Sequence, residues 1–486
     1  MLEASAHQQL KALLQQEGAR RWPHHLTLSR LVARSLRRGD HTMVRLAPGT
    51  DPSWWISLLV PLALSDAPLA LVLSDRLRRR LLQVEWPRLA AVGLSLPCWE
   101  GAEAPPRDRL LWLLNHGELL GAWSRGLLAD RQLVIPEAEQ LEDGLRRAMA
   151  IRIDPEHWEL LRRVHPAAEA ALLTLRRRLG ERVLGHPRQT PGPVPLARED
   201  QAPLRHLLGL LDPLPEPWER WRQAGAQDWA GWASVEPAWL HWHLHAQPLE
   251  PLAATGGLLR GRGAVLTGEL GIGRAAAVPF HGAGLLGLQP QVELELGDPP
   301  LADPLPLYAP QGQPLPNHPG YGEHLLDHCR RLVLGQAGLT VILVDDPALR
   351  QGLASGLAAE FGSRVDQETT AAESNGVICS GWNWWLEQQA RLPLPCQLVV
   401  GLLPIASLED PLMAARVEAL RRQGRDWFRE LLLPEALNRL QRGVAGLRRG
   451  GGRLAVLDGR LRGREWGNRV LAALEPWVAL PRLLPN

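Results

Sequence analysis

The stretch from Gly376 to Leu461 constrains the fold of this chain more tightly than any other. Two short apolar runs, Val377–Cys379 and Gln397–Leu403, each have the length of a buried strand and end in turn-like residues. Leu403–Pro404 and Asp410–Pro411 follow, then an amphipathic helix predicted over Leu412–Arg422. A second helix begins near Pro434 and carries Arg439, Arg442, Arg448 and Arg449, and a strand at Arg453–Asp458 closes the unit. Such alternation points to a parallel α/β sheet, because parallel neighbours need a crossover connection, usually a helix.

The same grammar recurs upstream. A helix is predicted over His25–Arg38 and a strand over Thr42–Leu46. The glycine-bearing loop Ala47–Ser53 then leads into a helix from Trp54 to Pro61. Buried-type strands follow at Leu69–Leu73 and Gln132–Ile135, and Leu111–Leu114 runs into Asn115–His116, which read as structural turn residues. From Asp154 to about Leu249 the pattern shifts to long helices, with Trp158–Leu179 as the clearest. A Pro/Gly linker at Gly185–Pro195 follows, then a tryptophan series, Trp218, Trp221, Trp229, Trp232, Trp239 and Trp242, read as core. The alternation His241–Trp242–His243–Leu244–His245 sets three imidazoles on one strand face, read as structural. A strand at Gly263–Leu270 and the Pro-rich connector Pro299–Pro319 precede a second strand–helix series opening at Tyr321.

Composition narrows the function classes. Net charge is +2, so any nucleic-acid face must be local. Lys11 is the only lysine, and every other cationic side chain apart from histidine is arginine, which contacts phosphate bidentately. The four cysteines, Cys98, Cys329, Cys379 and Cys396, stand singly, without metal-ligand or disulfide-framework spacing. The N-terminal segment reads as a polar amphipathic helix rather than a signal peptide, and no run reaches the ~20 apolar residues of a membrane span. A cytoplasmic location with no membrane partner is the expectation.

The order of landmarks resembles the DinG/XPD-type superfamily 2 DNA helicases. In chain order these landmarks are Gly49–Thr50, the Ile135–Glu142 segment, Trp384–Trp385, Leu403–Pro404–Ile405, Asp410–Pro411, Leu433–Pro434–Glu435–Ala436, Gly443 to Arg449, and Asp458–Gly459–Arg460. The resemblance implies an α/β fold with two RecA-like, P-loop NTPase-type domains and a mainly helical insert in the first. Residues 1–150 form domain 1, 151–250 the helical or arch-like insert, 251–298 the return to domain 1, and 299–486 domain 2.

The scaffold letters match better than the letters that carry chemistry. In the family a P-loop precedes the first long helix, its lysine neutralising phosphate and its hydroxyl holding magnesium. Here Gly49 and Thr50 keep the turn, but Asp51 and Pro52 follow and Trp54 and Trp55 take the lysine and hydroxyl positions. The water-activating glutamate falls on Glu137, while Pro136 replaces the metal-binding aspartate and Glu139 the histidine. Gly268–Glu269 interrupts the third motif, and the family's aspartate after Trp384–Trp385 falls on Gln389. Of the two arginines near the chain end, one position is Gly446 and the other is retained as Arg449; the preceding glutamine is Arg442.

The resemblance therefore implies a helicase homologue, tied to DNA repair, that binds single-stranded or forked nucleic acid, DNA first, with a defective ATPase site. Glu137 and Arg449 are the residual catalytic candidates, Gly49 and Thr50 the nucleotide-binding ones, and Arg76, Arg79 and Arg442 the nucleic-acid contacts. No cofactor is expected, and no metal. ATP and Mg²⁺ enter only under the alternative of an active helicase with atypical motifs. Cys98 alone stands where family members with an iron–sulfur cluster carry four cysteines, so none is expected. A second alternative is a non-enzymatic assembly platform with a protein partner, using Trp54, Trp55 and the insert indoles as its surface.

Overall fold

The computed structural model describes residues 2–18, 22–106, 108–186, 192–225, 228–236, 241–270, 286, 289–335 and 337–481. The first lobe opens with helices Leu2–Gln16 and His25–Arg38. Strands β1 (His41–Leu46), β2 (Leu69–Val72), β3 (Cys98–Glu100), β4 (Leu111–Leu114) and β5 (Gln132–Ile135) follow. The insert contributes β6 (Ile151–Ile153), β7 (Val194–Pro195), β8 (Trp229–Glu236) and β9 (His241–Pro248). The chain then returns to the first lobe with β10 (Ala264–Gly268) and β11 (Val292–Leu296). The second lobe holds β12 (Leu305–Tyr308), β13 (Thr340–Leu343), β14 (Val365–Gln367), β15 (Val377–Ser380), β16 (Gln397–Val400), β17 (Arg453–Val456) and β18 (Trp477–Ala479).

Each lobe is built on a seven-stranded sheet, ordered β11-β1-β10-β5-β2-β4-β3 in the first and β14-β15-β13-β16-β17-β12-β18 in the second. The described pairings in both are parallel. Parallel sheets are covered on both faces, so their central strands are apolar throughout rather than alternating. Leu69–Val72, Leu111–Leu114 and Thr340–Leu343 are buried at every position. Separate clusters line the two faces of each sheet, one around Leu58, Leu71 and Val134 and another around Trp112, Leu133 and Leu266 in the first lobe. The two-lobed, parallel α/β architecture is the one expected.

The insert differs in detail. Its helices Pro155–Val164, Glu169–Leu184, Arg198–Leu210 and Trp218–Ala224 are joined by a four-stranded antiparallel sheet, β6-β9-β8-β7. Trp229, Trp232 and Trp242 lie on those strands, not on helices. Trp158 and Trp218 are buried and meet edge-on at 4.8 Å, while Trp239 lies outside the described residues. The predicted Trp158–Leu179 helix breaks at Pro166, whose ring cannot continue an interior turn, and the linker's residues 187–191 are outside the description. The three imidazoles share β9: His243 bonds Asp154 at 2.6 Å and His245 bonds Ser234 at 2.7 Å. The Pro-rich connector is more than a joint, since it contains β12, a strand of the second sheet.

Candidate functional site

In an open parallel α/β sheet, ligands bind beyond the carboxyl ends of the strands. Here the ends of β1, β5, β10 and β11 converge on one helix of the second lobe, Leu433–Arg449, termed the bridging helix. Its apolar face buries Leu433, Leu437, Leu440, Val444 and Leu447 in the second lobe, each worth about 1.5–3 kcal/mol. The face presented to the first lobe carries Asn438, Arg442, Ala445 and Arg449, spaced four, three and four residues apart so that they lie along one side.

At the end of β1 the glycine turn is satisfied from within. The Thr50 N–H and hydroxyl both donate to the Ala47 carbonyl, at 3.0 and 2.7 Å. The Asp51 N–H donates to Asp298 Oδ2 at 2.9 Å and the Ser53 N–H to Asp51 Oδ1 at 2.8 Å. The Trp54 N–H donates to the Asp51 carbonyl at 3.2 Å, and Pro52 has no N–H. Asp51 thus caps the Pro52–Trp54 turn that leads into helix Trp55–Ala63, setting a carboxylate at a helix entry, where an anion is favoured. Gly49 has φ +79°, and a Cβ placed on it would stand 1.9 Å from the Cβ of Ala445. Only glycine lets the bridging helix approach this closely.

Trp54 and Trp55 stack at 5.0 Å and are buried, so these two indoles are core and supply no partner surface. Behind them His25 Nδ1 bonds Ser57 Oγ at 2.7 Å, and burial pushes this imidazole down to about 4.

Arg449 crosses to this turn. Its guanidinium donates to the Gly49 carbonyl, pairs with Asp298 at 2.6 Å and lies 3.7 Å from Asp51. The Asp298 side chain is 1% exposed, and its Oδ1 has no hydrogen-bond partner among the described residues. A cleft of about 430 Å³ opens beside this contact, lined by His24, Pro48, Asp298, Val444 and Arg448.

Two turns earlier on the bridging helix, Arg442 pairs with Glu269 at 3.0 Å, and Asn438 donates to the Glu269 carbonyl at 3.2 Å. The Glu269 N–H in turn donates to Glu139 Oε2 at 3.1 Å. Gly268 makes this approach possible, since a Cβ there would lie 2.4 Å from Glu139 Oε2. Burial pushes Glu139 up to about 7. Arg442 opposes that rise, and Glu269 and Glu137 add to it. Glu137 is buried at the end of β5, where its Oε1 accepts from Arg76 at 3.0 Å and Gln140 at 3.1 Å. A third crossing joins Arg416 to Glu142 at 3.4 Å.

The expected site residues therefore occupy different settings. Gly49, Thr50 and Arg449 meet at one contact between the lobes, and Glu137 lies on the first-lobe side of another. Arg442, put forward as a nucleic-acid contact, is engaged with Glu269 between the lobes. Arg76 is half exposed but paired with Glu137, and Arg79 lies exposed on helix Asp75–Arg80. Asp298 was not foreseen: it stands alone in a Pro-rich passage, and only tertiary structure brings it to Asp51.

The insert faces helix Pro411–Arg422 of the second lobe across a cleft of about 550 Å³ that includes Arg198, Arg205, Trp229, Glu418 and Arg422. Arg205 is half buried and donates to Gln201 at 3.0 Å; its Nε has no partner among the described residues. Burial, reinforced by Arg198, draws its pKa down. Among the described residues no group of His, Cys, Asp or Glu could hold a metal ion, and no helix is long and apolar enough to cross a membrane.

No family model matches the chain. Its sequence is 29% identical over 178 residues to the ATP-dependent DNA helicase YoaA of Escherichia coli (strain K12), a match covering 34% of this chain and 28% of that protein. The YoaA of Haemophilus influenzae (strain ATCC 51907 / DSM 11121 / KW20 / Rd) is 30% identical over 105 residues, 21% of this chain and 16% of that protein. The match thus spans well under half the length of either relative. In fold, the chain is similar to S. tokodaii Xpd4, with a TM-score of 0.60 and 12% identity over 94% of this chain and 99% of that one. An apo XPD structure gives a TM-score of 0.59 and 12% identity over 93% and 100%.

Proposed function

We propose that this chain, similar in sequence to DNA helicases of the DinG type and in fold to XPD, binds single-stranded or forked nucleic acid without hydrolysing ATP. One observation carries the reading. The helix entry after β1 is capped by Asp51, and the arginine reaching it from the other lobe is matched by Asp51 and Asp298. A nucleotide phosphate arriving there would meet two carboxylates instead of a lysine. It would find the N–H groups of Thr50, Asp51, Ser53 and Trp54 already engaged. The residues present do not fit ATP and Mg²⁺, so no catalytic step is assigned to Glu137.

Nucleic acid as the partner is supported by the kinship with proteins described as DNA helicases. The arginines of the cleft between insert and second lobe add support. Among the described residues Arg205 pairs with no carboxylate, and a phosphodiester oxygen suits a half-buried guanidinium in that state. Trp229, partly exposed in the same cleft, offers a face on which a base can stack, worth about 1–3 kcal/mol.

Calorimetry with ATP and Mg²⁺, with and without single-stranded DNA, tests the first half of the proposal; no saturable binding is expected in either condition. Saturable binding, with turnover lost in Glu137→Gln, would establish an active helicase instead. A salt titration of single-stranded DNA binding tests the second half, and affinity should fall as salt rises. Absence of binding at low salt would leave the assembly-platform reading.

A further inference from the structure

We propose that the carboxylates of the first lobe act as a built-in latch that holds the two lobes together in the absence of nucleotide. The inference rests on the reading of the β1 turn given above but goes beyond it, because loss of nucleotide binding alone would leave the relation of the lobes open.

The latch has three parts along the interface. Arg449 is clasped by Asp298 and Asp51 and by the Gly49 carbonyl. Arg442 and Asn438 both hold Glu269, one through its carboxylate and one through its carbonyl. Arg416 reaches Glu142 at the start of helix Leu141–Met149. At each point a second-lobe side chain meets a first-lobe acceptor directly. Between the first two lies Ala445, in contact with a glycine that has no side chain to hold it off.

The charges explain why no ligand is needed. A guanidinium removed from water requires a counter-charge, and one removed without a partner costs several kcal/mol. Asp298 supplies that counter-charge from inside the fold: its side chain is 1% exposed and its other neighbour is the Asp51 N–H. Separating the lobes would strand Asp298 in the first lobe, away from its cation. With each guanidinium already matched by a first-lobe acceptor, the apposed arrangement becomes the resting one.

Double electron–electron resonance tests this on the full chain. Nitroxides are placed at Asp66→Cys in the first lobe and Glu373→Cys in the second, both exposed, with Cys98 and Cys396 replaced by serine. Cys329 and Cys379 are buried and stay unlabelled. The expected result is a single narrow distance, unchanged by millimolar ATP with Mg²⁺. In Asp298→Asn or Arg449→Gln it should broaden or lengthen while circular dichroism stays that of the parent. Should those two variants fail to fold, Arg442→Gln is read in the same way, and the parent distribution is decisive by itself. A broad parent distribution that narrows on adding ATP overturns the latch, as does a distance unmoved in the folded variants. Calorimetry separates the two proposals: ATP binding with an unchanged narrow distance sinks the proposed function and spares the latch. No ATP binding with a broad parent distribution does the reverse.

Discussion

Arg442 and Arg449 sit two turns apart on one face of the same helix, yet the first lobe receives them differently. Arg449 meets an aspartate pair and a carbonyl. Arg442 meets Glu269, with Glu139 and Glu137 close enough to act on its charge. Around Arg442 three carboxylates face one guanidinium across the interface, and the surplus is relieved by Glu139, which burial and its acidic neighbours push up to about 7. The anchor at Arg442 is tunable, because Glu139 is brought near neutrality. Equal spacing along a helix therefore says little about how two contacts respond to solution conditions; the count of partner charges decides.

The largest effect expected from breaking this comparison is at Arg449. Arg449→Ala leaves the Asp298 carboxylate buried and unpaired, a loss of about 3–5 kcal/mol read as a lower denaturant midpoint. The corresponding Arg442→Ala change should cost less, because Glu269 is partly exposed and Glu139, losing the arginine that opposes its rise, is held still more firmly in the neutral form instead of standing as an unpaired buried charge. Equal losses at the two sites would erase the distinction.

Gly49→Ala probes the backbone between the anchors. The added methyl meets Ala445 at a positive φ, so about 1–3 kcal/mol is expected from crowding and strain. Gly49→Ala combined with Ala445→Gly should recover the part due to crowding. Recovery of nothing would place the whole cost in the backbone.

The tunable anchor predicts a pH dependence of definite sign. Glu139 binds its proton more tightly folded, at about 7, than unfolded, near 4.5. Between those values unfolding releases a proton, so its contribution to stability falls as pH rises through that window and levels off above it. His25 acts oppositely: depressed to about 4 by burial, it lowers stability as pH falls from 6.5 toward 4. Glu139→Gln keeps an acceptor for the Glu269 N–H and removes the titration. Because the two contributions oppose each other below pH 6.5, the variant is read against the parent: in thermal melts its stability relative to the parent should rise as pH rises from 4.5 to 7, and a difference that stays constant with pH would show that Glu139 does not titrate in this window.

The smallest effect on stability is expected at exposed arginines remote from both anchors. Arg79→Ala should alter stability by no more than about 0.5 kcal/mol. If this side chain contacts phosphate, the same change lowers the salt slope of DNA binding by about 1, and Arg205→Ala provides the comparison in the cleft.

Much of the scaffold was legible because its signal is local. Runs such as Leu69–Val72 and Thr340–Leu343 are apolar at every position, which in so short a segment marks a strand covered on both faces. Helix His25–Arg38 ends at Gly39, with φ +68°, and helix Pro347–Phe361 starts on a proline after a capping aspartate, so both ends are written in the residues themselves. Strand β8 is hidden because Trp229 and Trp232 have a spacing compatible with helix, whereas the His241–His245 alternation already marks β9 as a strand. Only the pairing of Ala233 with Leu244 and its neighbours in the β8–β9 hairpin commits β8 to a sheet.

The sequence by itself determined that the turn after β1 lacks a lysine, that Asp51 and Pro52 follow Gly49 and Thr50, and that the bridging helix carries Arg442 and Arg449 seven residues apart. These are facts of composition and order, readable wherever the chain goes. Tertiary structure alone decided what those arginines meet. Asp298 is 247 residues from Asp51, and Glu269 is 173 from Arg442. Nothing in their neighbourhoods marks them as partners, because an ion pair depends on distance in space and on exclusion of water. Both arise only when two sheets, each assembled from distant strands, press the ends of those strands against one helix.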